Sequence, residues 1–167
     1  MPQLVFIHGP GAGNCADAYY YQSRHFHGSV APTLPGHPEG APCADVKGYV
    51  EWLRGWLWAQ DMKRDLVLMG YTLGACIALQ YALDYPDEVK GIVISSVAVR
   101  PKTRGPDAYN LRLRAAKDPK DYEDWVQRQI DNLQLVDPEL RERLIQRHKE
   151  VGPLPQDAEV GADEFLE

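Results

Sequence analysis

Apolar and polar residues alternate along the chain in blocks that are typical of parallel strands joined by amphipathic helices. Short apolar runs bounded by turn residues predict buried strands at 4–7, 30–32, 66–69 and 89–99. Helical spacing predicts helices at 16–26, 45–60 and from 73 to the stop at Tyr85-Pro86-Asp87. Asp45 is expected to cap the second helix, and its apolar stripe is expected to be core: Tyr49, Trp52, Leu53, Trp56 and Leu57. The resulting order, βαβαβαβ, predicts an α/β fold with a doubly wound, mostly parallel sheet of about four strands.

The pattern changes after Arg100. Residues 100–107 have the composition of a linker, and charged amphipathic segments follow them. These segments predict helices at about 108–117, 119–133 and 137–150, with a last short turn at 161–167. Pro138 suits the first turn of the third helix. We therefore predict two parts, a sheet-containing core of residues 1–100 and a helical part of residues 101–167.

The pentapeptide Gly70-Tyr71-Thr72-Leu73-Gly74 lies between a predicted strand and a predicted helix. A turn this tight forces its central residue to a positive φ, and flanking glycines leave room for the approaching backbone. The Thr72 hydroxyl would then stand at the carboxyl end of the sheet, where the helix N-terminus can donate an N–H to an oxyanion. A purely structural turn between strand and helix fits the same pentapeptide.

A second glycine-rich loop, His8–Gly13, follows the first strand. A phosphate-binding role would require glycine at position 14, which is Asn14, or a Gly-Lys-Ser/Thr sequence, so nucleotide binding is disfavoured. His8 is expected to be a packed histidine that bonds neighbouring backbone.

These motifs, with Leu34-Pro35-Gly36-His37 and Tyr85-Pro86-X-X-Val89, resemble the α/β-hydrolase superfamily, in particular lid-bearing serine hydrolases and esterases. The resemblance implies a strand order 2-1-3-4 and makes residues 101–167 the helical cap. It places Thr72 at the nucleophile position, where the family usually has serine. It also implies that His37 is structural and that Leu73 and the His8–Gly13 loop form the oxyanion hole. Pro10 occupies the usual donor position of that loop but has no N–H, so Gly11 is expected to donate instead.

The resemblance also implies that the catalytic acid and histidine follow further strands beyond the cap, where this chain ends at Glu167. His148, on a charged segment, is expected to be an exposed surface histidine. The chain is thus interpreted as a C-terminally incomplete hydrolase of small apolar esters or acyl bonds. Because the acid and the histidine are missing, this chain by itself is expected to be a weak catalyst or inactive. The alternative is a non-catalytic module that binds a ligand or a protein. The open edge of strand 92–99 predicts self-association or a companion chain.

Composition narrows the remaining classes of function. The chain has 167 residues, 44% of them hydrophobic and 25% charged, and a net charge of -6, which argues against nucleic-acid binding. No apolar run has membrane-spanning length and no basic leader precedes one, so a cytoplasmic location is expected. Cys15, Cys43 and Cys76 lack metal-ligand or disulfide spacing and are interpreted as reduced thiols. We predict no metal and no cofactor.

Overall fold

The computed structural model describes residues 2–10, 15–37, 40–96, 119–132 and 134–151. At its centre is a parallel sheet of three strands in the order β1-β2-β3. The strands are β1 (Gln3–Ile7), β2 (Leu66–Tyr71) and β3 (Val89–Ser95). The predicted strand at 30–32 is reduced to one parallel bridge, in which Val30 bonds the backbone of Leu4 and Phe6. The predicted parallel α/β fold is confirmed, with a shorter second strand than expected.

Helices cover both faces of the sheet. They are a 3-10 turn (Ala16–Tyr19), α1 (Tyr20–His25), α2 (Val46–Ala59) and α3 (Leu73–Asp84). Val5 and Ile7 are buried in the cluster that α2 and α3 build, whereas Phe6 stacks on Tyr19 at a ring separation of 4.8 Å on the opposite face. Successive residues of a strand point to opposite faces, so β1 joins the two layers.

Helix α2 follows its predicted pattern. Asp45 caps it, because its carboxylate accepts a hydrogen bond from the Gly48 N–H at 2.7 Å. Within the predicted apolar stripe, Tyr49, Leu53 and Leu57 are buried, and the two tryptophans are partly buried against the core. The stripe is therefore core, as predicted.

Two further helices, α4 (Pro119–Asn132) and α5 (Pro138–Val151), form a hairpin at the carboxyl end of the sheet. Their shared apolar cluster consists of Tyr122, Val126, Ile130, Leu140, Leu144 and Ile145. Asp137 caps α5 by accepting hydrogen bonds from the Glu139 and Leu140 N–H groups, so Pro138 opens the helix as predicted. The predicted segments at 108–117 and 161–167 lie outside the described residues, and the division of the chain at residue 100 stays a prediction.

The helix hairpin contacts the core through the segment 17–21. Arg143 forms an ion pair with Asp17 at 2.9 Å, and the Asp137 N–H donates to the Tyr21 hydroxyl at 3.2 Å. Tyr20 packs against the apolar cluster of the hairpin. The hairpin thus lies above the strand ends and α1, the position that the resemblance implies for a cap.

Strand β3 forms the outer edge of the sheet within the part of the chain that the structure describes. Val93 and Ile94 are 50% and 42% exposed there. Residues 97–99 of the predicted strand lie outside the described part. None of the described helices combines the length and the hydrophobicity that a membrane span needs.

Candidate active site

The turn between β2 and α3 is built around Thr72. Its backbone has φ 48° and ψ −116°, a positive-φ conformation that a β-branched residue rarely adopts. The Thr72 N–H donates to the Ser95 carbonyl at 3.1 Å, and its carbonyl accepts from the N–H groups of Ala75 and Cys76. The end of β3 and the first turn of α3 therefore hold the strained residue in place. The predicted positive-φ conformation is confirmed.

The glycines of the turn are required by close backbone approaches. A Cβ on Gly70 would lie 2.7 Å from the Ala75 nitrogen. A Cβ on Gly74 would lie 2.7 Å from both the Ile7 carbonyl carbon and the His8 carbonyl oxygen, and would overlap the Ile7 oxygen. Both glycines thus allow α3 to begin directly against the ends of β1 and β2.

Gly9 brings the loop after β1 onto the Thr72 side chain. A Cβ on Gly9 would lie 2.5 Å from the Thr72 hydroxyl oxygen and would overlap the Tyr71 ring. The Thr72 Oγ1 atom is buried and has no hydrogen-bond partner among the described residues. An unpaired buried hydroxyl costs folding free energy and so calls for a functional explanation. The Thr72 hydroxyl is therefore the leading candidate for a reactive group.

The predicted oxyanion residues are placed only in part. Leu73 opens α3 and is buried, and the first N–H groups of a helix have no acceptor within that helix. Pro10 is partly buried directly after Gly9. Gly11, like the rest of the loop up to Asn14, lies outside the described residues. The oxyanion role of Leu73, Pro10 and Gly11 stays a prediction.

His8 is a packed structural histidine, as predicted. Its Nδ1–H donates to the Gly9 carbonyl at 2.8 Å, and its Nε2 accepts from the Leu34 N–H at 2.9 Å. Burial lowers the pKa of His8 to about 3. His37 packs edge-on against it, is likewise buried, and its Nδ1–H donates to the Pro35 carbonyl. Both His8 ring nitrogens bond backbone, so His8 holds the loop rather than accepting a proton from Thr72.

Replacing His8 with glutamine is expected to flatten the pH dependence of stability. The pKa of His8 rises from about 3 in the folded chain to ~6.5 on unfolding. The free energy of unfolding therefore has its full value above pH ~6.5 and decreases as the pH falls toward 3. One such group changes the free energy of unfolding by up to about 1.4 kcal/mol per pH unit. Urea unfolding between pH 7.5 and 4.5 measures it. The exposed His27→Gln is the control, and equal slopes for His8→Gln and the wild type would contradict the assignment.

A cavity of about 860 Å³ lies between the strand ends and the helix hairpin. Gly70, Tyr71 and Ser95 line it from the sheet. Tyr19 and Tyr21 line it from the segment before and within α1, and the hairpin contributes mostly apolar residues, among them Ile130, Leu135, Leu140 and Leu144. Thr72 adjoins the cavity through Tyr71 and does not itself line it. The arrangement offers an apolar chamber next to the turn that carries the hydroxyl.

His148 lies in this cavity, so the prediction of an exposed surface histidine was wrong. The residue is 6% exposed, and its Nδ1–H donates to the Leu144 carbonyl at 2.8 Å. It follows Leu140 and Leu144 at four-residue steps, which places it on the apolar face of α5. That spacing was the signal in the sequence, and the charged neighbours of His148 concealed it.

The tyrosines of the cavity are the functional candidates that sequence reasoning missed. Burial raises the pKa of Tyr71, and a hydrogen bond with the Gly9 backbone partly offsets this effect. The Tyr19 hydroxyl donates to the Ile7 carbonyl at 3.2 Å, and its ring meets that of Tyr71 edge-on. The sequence pattern of residues 19–21 predicts only part of a short helix.

Metal-binding clusters are not found among the described residues: no three His, Cys, Asp or Glu side chains there lie close enough to hold an ion. The three cysteines carry free thiols.

Comparison with known proteins shows which proteins share this architecture. The model of the alpha/beta hydrolase family matches residues 4–162. A curated relative, the (lyso)-N-acylphosphatidylethanolamine lipase of Bos taurus, is 29% identical over 103 residues, which cover 54% of this chain and 29% of that protein.

Solved structures give the same fold. A thermophilic esterase from Thermogutta terrifontis superposes with a TM-score of 0.67 at 18% identity, covering 100% of this chain and 64% of that one. The 2-hydroxy-6-oxo-6-phenylhexa-2,4-dienoate hydrolase of Rhodococcus sp. strain RHA1 superposes with a TM-score of 0.66 at 21% identity, covering 99% and 62%. The chain thus spans less than two thirds of these relatives' length. With the family match over most of its residues, the chain belongs to the alpha/beta hydrolase family.

Proposed function

We propose that this chain carries the nucleophile turn and the acyl cavity of a hydrolase that cleaves small apolar esters or related acyl bonds. The observation that carries the proposal is the Thr72 hydroxyl, buried and unpaired among the described residues, at φ 48° beside the cavity. Thr72 would attack the carbonyl, and the N–H groups of Leu73 and Gly11 would stabilise the oxyanion. Relatives named as a lipase and an esterase support an ester as the substrate class.

Proton transfer from Thr72 needs a base and a carboxylate that orients it. Among the described residues no imidazole or carboxylate hydrogen-bonds the Thr72 hydroxyl. The proposal therefore assigns both roles to groups outside them. Attack on the carbonyl carbon would form an acyl-threonine ester and release the alcohol with the proton from Thr72, and water would then cleave the acyl-threonine ester.

A non-catalytic binding module is the second candidate. Threonine in place of serine, Pro10 without an N–H, and the fully engaged ring of His8 favour it. Hydrolysis of p-nitrophenyl butyrate by the chain and by Thr72→Ala separates the two functions. Hydrolysis that disappears with Thr72 supports the enzyme, whereas ligand binding without hydrolysis in either form supports the module.

Self-association through the β3 edge is a further part of the proposal. The exposed Val93 and Ile94 and the unpaired backbone of an edge strand support pairing with a second copy or with a companion chain. Light scattering at micromolar concentration should show a dimer that the pair Val93→Lys and Ile94→Lys weakens. Leu83→Lys, an exposed apolar site on α3, is the matched control. A strictly monomeric wild type with no bound partner contradicts this part.

The cytoplasmic location expected from the sequence also stays part of the proposal, supported by the three free thiols.

A further inference from the structure

The Thr72 hydroxyl and the cavity lie side by side without opening into each other. Gly70 and Tyr71 line the cavity from β2, whereas Thr72, the next residue, does not. The Thr72 Oγ1 atom is itself buried. An acyl group in the cavity therefore meets a wall before it reaches the hydroxyl, and the side chain that forms this wall decides which groups pass.

Tyr71 forms this wall. The position that a Cβ on Gly9 would take lies 2.4 Å from the Tyr71 Cε2 atom and 2.5 Å from the Thr72 Oγ1 atom, so the ring edge and the hydroxyl meet over Gly9. Tyr71 also lines the cavity, as does Met69, two residues earlier in β2 and on the same face of the sheet. Tyr71 thus stands between the apolar chamber and the reactive atom.

The Tyr71 ring is held in this position by two neighbours. Its hydroxyl hydrogen-bonds the Gly9 backbone, and the His8 Nδ1–H donates to the Gly9 carbonyl at 2.8 Å. The ring also meets Tyr19 edge-on at a centroid distance of 5.9 Å, and the Tyr19 hydroxyl is fixed by the Ile7 carbonyl. Moving the Tyr71 ring therefore breaks a hydrogen bond and an aromatic contact, and both losses resist a wide ligand group.

We propose that Tyr71 determines the shape of the acyl group that Thr72 attacks, admitting slender linear chains in preference to branched or aromatic groups. Because the Thr72 hydroxyl is buried, every acyl group has to displace the ring, and a wider group displaces it further. The free energy of that displacement opposes binding, and its difference between two acyl groups sets the preference. This inference rests on the proposed function, since it names the substrate class of the same site.

Accessibility of position 72 tests this inference without ester hydrolysis. Thr72→Cys puts a thiol in place of the hydroxyl, and n-butyl and benzyl methanethiosulfonate present a linear and an aromatic group to that thiol. Tandem mass spectrometry follows the adduct at position 72 separately from adducts on the three native cysteines. Each rate is divided by the rate of the same thiol in the urea-unfolded chain, which removes the intrinsic reactivity of the reagent.

The two reagents should differ only while the Tyr71 ring is in place. We expect the benzyl reagent to react at least about tenfold more slowly than the butyl reagent in the Thr72→Cys chain. Adding Tyr71→Ala should bring the two rates within about twofold of each other, and Tyr71→Phe, which loses the bond to Gly9, should raise the benzyl rate about fivefold. Met69→Ala widens the same cavity from the same strand and, as the matched control, should leave the difference unchanged.

Equal rates of the two reagents in the Thr72→Cys chain overturn the inference, as does a difference that survives Tyr71→Ala or disappears equally with Met69→Ala. Absence of reaction with both reagents after Tyr71→Ala overturns it too, since something other than the ring would then close off the thiol. Circular dichroism checks that each variant is folded. If Tyr71→Ala is not, Tyr71→Phe decides, and an unchanged benzyl rate is the contradicting result. A preference found in a chain that cleaves no ester would disprove only the hydrolase, so the two proposals fail in distinguishable ways.

Discussion

Gly74→Ala is expected to cost most or all of the stability of the fold. The added methyl would overlap the Ile7 carbonyl oxygen and lie 2.7 Å from that of His8. Both obstacles are backbone at the end of strand β1, so neither can rotate away, and α3 would have to move off the sheet. A cost above about 3 kcal/mol follows, at the upper end for overpacking. Urea unfolding followed by circular dichroism measures it.

Gly55→Ala is the control for this prediction. Gly55 lies in the exposed interior of α2, with nothing within 4 Å of an added Cβ. Alanine there should raise the stability by up to about 1 kcal/mol, because it favours helix. Similar effects of the two substitutions would show that α3 does not begin against β1.

Substitutions of Thr72 are expected to have the largest effect on activity. Thr72→Ala should lower ester hydrolysis to the buffer background, a loss of at least about 100-fold, since no aliphatic hydroxyl remains at the turn. Thr72→Ser should keep the activity and raise kcat/KM by up to about tenfold, or about 1.4 kcal/mol. Serine lacks the methyl group that crowds a residue at φ 48°. Initial rates with p-nitrophenyl butyrate measure both changes.

Thr33→Ala controls for loss of a threonine elsewhere. Thr33 accepts a hydrogen bond from the Ala16 N–H at 3.1 Å, so its removal should lower stability while the hydrolysis rate stays within a few-fold. If Thr72→Ala were to hydrolyse the ester as fast as the wild type, Thr72 would not be the nucleophile.

The predictions that held depend on local signals. Apolar runs fix β1, β2 and β3, because a buried parallel strand needs little but short apolar sequence. Asp45 caps α2, Pro138 opens α5, and Gly70 and Gly74 mark the tight turn. In each case the sequence neighbours of the residue determine its structure.

The predictions that failed depend on tertiary contacts. The charged neighbours of His148 indicate solvent, yet packing of α5 places its ring inside the cavity. The strand at Val30 shrinks to one bridge, and Pro32, which has no N–H, cannot extend that ladder. By contrast, the contact of Gly9 with Thr72 follows from the parallel pairing of β1 with β2, because the carboxyl ends of parallel strands meet at one edge of the sheet.

The most direct test of the account is covalent labelling of the chain with a p-nitrophenyl alkylphosphonate, a reagent that phosphonylates an activated hydroxyl and releases p-nitrophenol. Mass spectrometry of the digested protein should find one adduct, on the peptide that contains Thr72, and none in Thr72→Ala. A folded chain that takes up no label, or that takes it up on another hydroxyl such as that of Ser95, would contradict the claim that the turn presents Thr72 as a nucleophile.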